Sequence, residues 1–110
     1  MQSYRLFKTV QFDEKCAQLT LFEKARVEAF LDQLTRDPSM IGKPLGVHFF
    51  REKKFNGKRL YYLVYGEWKA VLIVNISDKK EQALTIAKIR MALARYKEFV
   101  QGIPRDSGVI

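Results

Sequence analysis

The sequence predicts an α+β domain: an N-terminal strand, a helical hairpin, a three-stranded antiparallel meander and a C-terminal helix. The helices are expected over one side of a mostly antiparallel sheet, with the other side partly open. Three observations carry this. Apolar residues recur at helical spacing between Thr20 and Pro38 and again after Ser77. Between them the period becomes extended, and those extended runs are divided by the turn pairs Asn56-Gly57 and Gly66-Glu67.

Residues Tyr4 to Phe12 (YRLFKTVQF) are rich in β-branched and aromatic side chains and read as the first strand, followed by a brief helix over Asp13 to Leu19. Thr20-Leu21-Phe22-Glu23 has the spacing by which a hydroxyl and a third-position carboxylate satisfy each other's free amides, so a longer helix opens at Thr20. Its core stripe is Val27, Phe30, Leu31 and Leu34, and it stops near Arg36-Asp37-Pro38, since proline disfavours helical angles in the residue before it. Residues 38–46 (PSMIGKPLG) form a connecting loop. Three strands follow, Val47 to Phe55, Lys58 to Tyr65 and Trp68 to Ile76, and the almost continuously apolar third is central and covered on both faces. A last helix begins at Ser77 or Asp78 with the stripe Ile86, Ile89, Leu93, Tyr96 and Val100, and ends before Gly102 and Pro104. Val71, Ile73, Ile86 and Leu93 join the stripe of the longer helix in the expected core. Residues 1–102 are one domain and 103–110 a frayed tail.

Composition narrows the function. With 110 residues, 47% hydrophobic and 29% charged, the chain is globular rather than disordered. No apolar run approaches the roughly 18 residues of a membrane span, and MQSYRLFKTVQF lacks the features of a signal peptide, so a cytoplasmic protein with no membrane partner is expected. Cys16 is the single cysteine and His48 the single histidine, which excludes an intrachain disulfide and a Cys/His zinc site; no metal or cofactor is expected. Cys16 reads as a small buried hydrophobe, and His48, between Val47 and two phenylalanines, as a packed or half-exposed strand residue. The charge is 20 − 12 = +8, of which residues 46–110 carry +7 (13 basic, 6 acidic). A one-sided basic surface suits a polyanion or an acidic partner protein.

The densest cluster is FREKKFNGKR, residues 50–59, with Arg51, Lys53, Lys54, Lys58 and Arg59 against Glu52. Strand alternation puts Arg51 and Lys53 on one face and Glu52 and Lys54 on the other. A two-residue Asn56-Gly57 turn places Arg59 with Lys54 and Glu52; a three-residue loop with a bulge at Gly57 places it with Arg51, Lys53 and Tyr61, where three cations are able to hold a phosphate. Both registers fit the sequence. Tyr62 is expected in the core, with Tyr61 and Tyr65 facing outward, free to stack on a base or to pack under the last helix. Lys79 and Lys80 lie where the central strand meets the last helix, with Asp78 as its cap.

GKPLG, then FREKKFNGKRLYYLVYGEWKAVLIVNISDKKEQ, then an amphipathic helix resembles the RelE/ParE toxin superfamily of prokaryotic type II toxin–antitoxin systems over about residues 4–100. The most specific part is Gly57-Lys58-Arg59-Leu60-Tyr61-Tyr62, followed by the buried strand ending Ile76-Ser77 and a basic pair. The resemblance implies a RelE-like fold, a cognate antitoxin over the basic sheet face, and metal-free cleavage of mRNA on the ribosome, in which the 2′-hydroxyl attacks the adjacent phosphate. By position it implies a catalytic set of Arg59, Lys80, Arg51 and Lys53. Read from the residues themselves, Lys53, crowded by the other three cations, is the expected base, and Lys54, Lys58, Tyr61 and Lys79 are expected to contact RNA. The family's C-terminal tyrosine or histidine is not matched in Gln82 to Ile86. A ParE-like DNA gyrase poison, which needs no nuclease site, and a passive double-stranded-RNA-binding module are the competing readings. The last leaves residues 4–37 unexplained.

Overall fold

The structure, a computed structural model, describes residues 3–104; of the expected tail, residues 105–110 lie outside them. The elements are β1 (Arg5–Lys8), α1 (Val10–Ala17), α2 (Leu21–Leu34), β2 (Lys43–Leu45), β3 (Val47–Phe55), β4 (Lys58–Tyr65), β5 (Ala70–Asp78), α3 (Gln82–Met91) and α4 (Leu93–Gln101). They build one sheet of order β1-β5-β4-β3-β2, with β1 parallel to β5 and the other pairs antiparallel. The predicted α+β layout holds.

Its central strand is covered on both faces. Val71, Ile73 and Ile76 meet Phe12, Val27, Phe30, Leu31 and Leu34 of α1 and α2, while Ala70, Leu72 and Val74 meet Ile89 and Val100 of α3 and α4. Helices therefore lie on both sides of the sheet, which corrects the expectation of one covered side. The cause is β4, KRLYYLVY, whose last seven residues are all buried, so both of its faces need cover. Among the expected core residues Ile86 and Leu93 are half-buried and the other six buried.

Four local readings change. The first strand ends at Lys8 because Thr9 caps α1: its Oγ1 accepts from Phe12 N at 3.0 Å and donates to Val74 O at 2.6 Å, turning Val10 and Gln11 into a helix start. The loop before the meander holds β2, a three-residue edge strand carrying Pro44, which is too short to show a period. Trp68 belongs to a 3₁₀ turn, Gly66–Trp68, closed by Lys69 at φ 48°. The last helix breaks at Ala92, and β5 runs on to Asp78, whose Oδ1 accepts from Glu81 N at 2.8 Å just ahead of α3.

The helix opened by Thr20 is as expected. Thr20 Oγ1 accepts from Glu23 N at 3.1 Å and Glu23 Oε1 from Thr20 N at 3.0 Å. Among the described residues no helix is long and apolar enough to cross a membrane.

Candidate nucleic-acid interface

The Asn56-Gly57 turn fixes the site. Both residues have positive φ, 45° and 76°, and Phe55 pairs with Lys58, so the loop has two residues and Lys54 stands opposite Arg59. The bulge lies on β5 instead, where Tyr61 pairs with Asn75 and Tyr62 with Ile73. Arg59 thus shares its face with Lys54 and Glu52. Arg51 and Lys53 lie on the opposite face, and the convergence of three cations with Tyr61 does not form.

Each displaced residue has another partner. Buried Arg51 donates from Nε to Ile41 O at 3.1 Å and from its terminal nitrogens to His48 O at 3.2 Å and Gly42 O at 3.3 Å, pinning the segment that leads into β2. The Lys53 ammonium stands 5.3 Å over the Phe30 ring. Lys58 Nζ lies 2.7 Å from Glu23 Oε2 on the α2 side. Tyr61 is fully buried against Phe50, so it presents no ring for stacking. Its hydroxyl meets Ser77 Oγ at 2.8 Å, and because Ser77 donates its one proton to Asp78 O, Tyr61 is the donor. Burial, with Glu52 close by, pushes the Tyr61 phenol above its ordinary pKa and keeps it neutral. Tyr62 and Tyr65 are also buried, and His48 is exposed. Cys16 is half-buried against the α1–α2 core, and burial raises its thiol pKa.

Lys54, Arg59, Lys79 and Lys80 remain at this end of the sheet. Arg59 donates to Gly57 O at 3.0 Å, and its buried Nε has no hydrogen-bond partner among the described residues. Arg59 pairs in register with Ser77, which puts exposed Lys79 and Lys80 two and three residues beyond that partner. A planar guanidinium at the same sheet end as the exposed Lys54, Lys79 and Lys80 suits a phosphate diester. Within the same face Glu52 is buried, with Oε1 accepting from Gln82 Nε2 at 2.7 Å and Oε2 lying 3.8 Å from Lys43 Nζ. Sequence spacing counted Glu52 as the one acid of a basic run; only the register shows that it stands on Arg59's face.

No protein-family model matches the chain, and no curated protein matches it in sequence. Solved structures do match. The toxin–antitoxin complex RelBE2 of Mycobacterium tuberculosis is similar at 24% identity and TM-score 0.61, covering 70% of this chain and 99% of that one. A mutant Escherichia coli toxin RelE in the free state gives TM-score 0.67 at 17% identity, over 82% of this chain and 98% of that one. The archaeal RelE–RelB complex of Pyrococcus horikoshii gives 0.60 at 19%, over 69% and 94%. The chain has the RelE fold. Of the four positions that the sequence resemblance singled out, Arg59 stands on the second strand of the meander and Lys80 two residues past the third, while Arg51 and Lys53 lie on the other face of the sheet.

Proposed function

We propose that this protein is the toxin of a type II toxin–antitoxin pair, restrained by an antitoxin and directed at mRNA on the ribosome. The observation that carries the reading is Arg59, held by the Gly57 carbonyl at the basic end of a RelE fold, its Nε without a partner among the described residues, beside the strand end that leads to Lys79 and Lys80. The likeness to toxin–antitoxin complexes supports the partner. In metal-free cleavage the 2′-oxygen attacks the neighbouring phosphorus as its proton passes to water, and the P–O5′ bond breaks to leave a 2′,3′-cyclic phosphate and a 5′-hydroxyl protonated from water; negative charge builds on the non-bridging oxygens, and preorganised cations stabilise that state. Arg59 and Lys80 carry this role, with Lys54 and Lys79 holding the flanking phosphates. Lys53 takes no part as base, because it lies across the sheet over Phe30.

One observation favours a second reading. A buried carboxylate, Glu52, stands on Arg59's face, and Gln82 to Ile86 offer no tyrosine or histidine to relay a proton; a gyrase poison needs neither. Induced expression in a bacterial host separates the two. The nuclease reading expects protein synthesis to stop within minutes while DNA stays intact. Gyrase-dependent DNA breaks with translation still running support the second reading, and unimpaired growth contradicts both.

A further inference from the structure

The end of the sheet away from Arg59 carries a cleft that the candidate interface does not use. Tyr65 closes β4, which Arg59 nearly opens, so the two stand roughly 20 Å apart along the strand at 3.3 Å per residue. There Phe49 of β3, Tyr65, Trp68 of the 3₁₀ turn, and Leu93 and Ala94 of α4 line a cleft of about 430 Å³. That volume falls within the range of small-molecule sites.

Its walls are braced. Buried Arg5 donates from Nη2 to Trp68 O at 3.0 Å and from Nη1 to Pro104 O at 2.7 Å. One guanidinium therefore grips the turn on one side and the chain just past α4 on the other. The turn itself is closed by Lys69 N donating to Gly66 O at 3.3 Å and is joined to β1 by Arg5 N donating to Lys69 O at 2.8 Å.

Two properties of the cleft specify a ligand. Its rings form a tilted series, with Phe49 and Tyr65 centroids 6.1 Å apart and Tyr65 and Trp68 5.5 Å apart, both pairs inclined at 35°. A ligand's aromatic ring can join such a series at the same spacing. Its charges are balanced: Glu67 and Lys97, both exposed, are the charged residues that line it, in a chain whose net charge is +8. A polyanion meets a single cation there and is repelled by Glu67, whereas a small molecule with one charge of each sign is matched at both.

We propose that the cleft binds a free aromatic α-amino acid, its ring against Phe49, Tyr65 and Trp68, its ammonium on Glu67 and its carboxylate on Lys97. Only the free molecule carries both charges beside its ring; a residue inside a peptide has neither. The site is independent of the activity reading, since Lys54, Arg59, Lys79 and Lys80 take no part in lining it.

Trp68 is the one tryptophan of the chain, so its emission reports on the cleft. The test is a titration of the full chain with L-phenylalanine, followed by Trp68 fluorescence and by calorimetry. Saturation is expected below about 10 mM for a ligand of this size. Phenethylamine and 3-phenylpropanoate, which each lack one charge, are expected to bind roughly tenfold or more weakly, as is phenylalanine to Glu67→Gln and to Lys97→Met. N-acetylphenylalanine amide should not bind. Ala94→Phe, which fills the cleft from an exposed position and keeps the wild-type melting curve, abolishes saturation, and Leu21→Glu, exposed on α2, leaves it unchanged. The proposal is overturned by absence of saturation, by unchanged affinity in Ala94→Phe or in both charge variants, or by equal binding of any of the three analogues. Tighter binding of adenosine monophosphate than of phenylalanine also overturns it, by making a nucleotide the occupant. The titration reads neither growth nor cleavage, so its failure leaves the proposed activity standing, and failure of that activity leaves the cleft.

Discussion

Glu23 Oε2 accepts the Lys58 ammonium at 2.7 Å across 35 positions of sequence, and Asn56 Nδ2 reaches the same oxygen at 2.8 Å. The other oxygen closes the capping box on Thr20. One carboxylate therefore ties the start of α2 to the turn that sets Arg59's register, so the local geometry of the candidate site depends on a helix on the far side of the sheet.

The Lys58 bond, helped by Thr20 and Asn56, holds the Glu23 carboxyl at a pKa of about 2. That lies below its value in an unfolded chain, so the stabilisation is complete above about pH 4.5 and disappears as pH falls toward 2. In acid titrations followed by circular dichroism, Glu23→Gln should lower the melting temperature at pH 7 and flatten the loss of stability between pH 4.5 and 2. Thr20→Ala, which removes only the cap hydroxyl, should cost about 1 kcal/mol. An acid limb unchanged in Glu23→Gln would contradict the assignment.

Gly42 and Gly57 both have positive φ, 67° and 76°, but their surroundings differ. A Cβ at Gly42 runs into Glu52 O and comes within 2.9 Å of the Tyr62 hydroxyl, whereas one at Gly57 meets nothing within 4 Å. Gly57→Ala should cost only the left-handed backbone, about 1 kcal/mol. Gly42→Ala adds a backbone clash at the β2–β3 pairing and should cost clearly more, about 3 kcal/mol, in urea unfolding.

Tyr65 is buried beside Trp68, ring centroids 5.5 Å apart, and its hydroxyl has no hydrogen-bond partner among the described residues. Burial, with Tyr96 nearby, pushes its pKa up to about 12. Since an unpaired buried hydroxyl is destabilising, Tyr65→Phe should raise stability by about 1 kcal/mol in urea unfolding, while most tyrosine substitutions lower it. A loss of stability would mean that the hydroxyl is satisfied.

The layout of the fold was legible wherever one residue type forces one geometry. Thr20 and Glu23 define a cap, Pro38 ends a helix, and Asn56-Gly57 closes a hairpin whatever surrounds them. What escaped depends on contacts distant in sequence. Thr9 becomes a cap because Val74 O receives its hydroxyl, and Lys43–Leu45 becomes a strand because β3 is there to pair with it. At the site, composition showed a basic run but not its two faces: one residue more in the turn would have moved Arg59 across to Arg51 and Lys53. For Tyr61 alternation told only that it lies on the face opposite Tyr62, which left stacking on a base and packing under the last helix both open; the cover by α3 and α4 decides for the second.

As proposed above, Arg59 and Lys80 act together on RNA from one end of a RelE fold while Lys53 does not. Primer extension on translated mRNA from cells expressing wild type, Arg59→Ala, Lys80→Ala and Lys53→Ala tests it directly. Cuts at codon positions are expected with the wild type, a roughly 30- to 1000-fold loss in the first two variants, which corresponds to removing about 2 to 4 kcal/mol of transition-state stabilisation, and retained cutting in Lys53→Ala. Equal loss in Lys53→Ala with its fold intact, or a wild type that cuts no translated mRNA yet breaks DNA through gyrase, would contradict it.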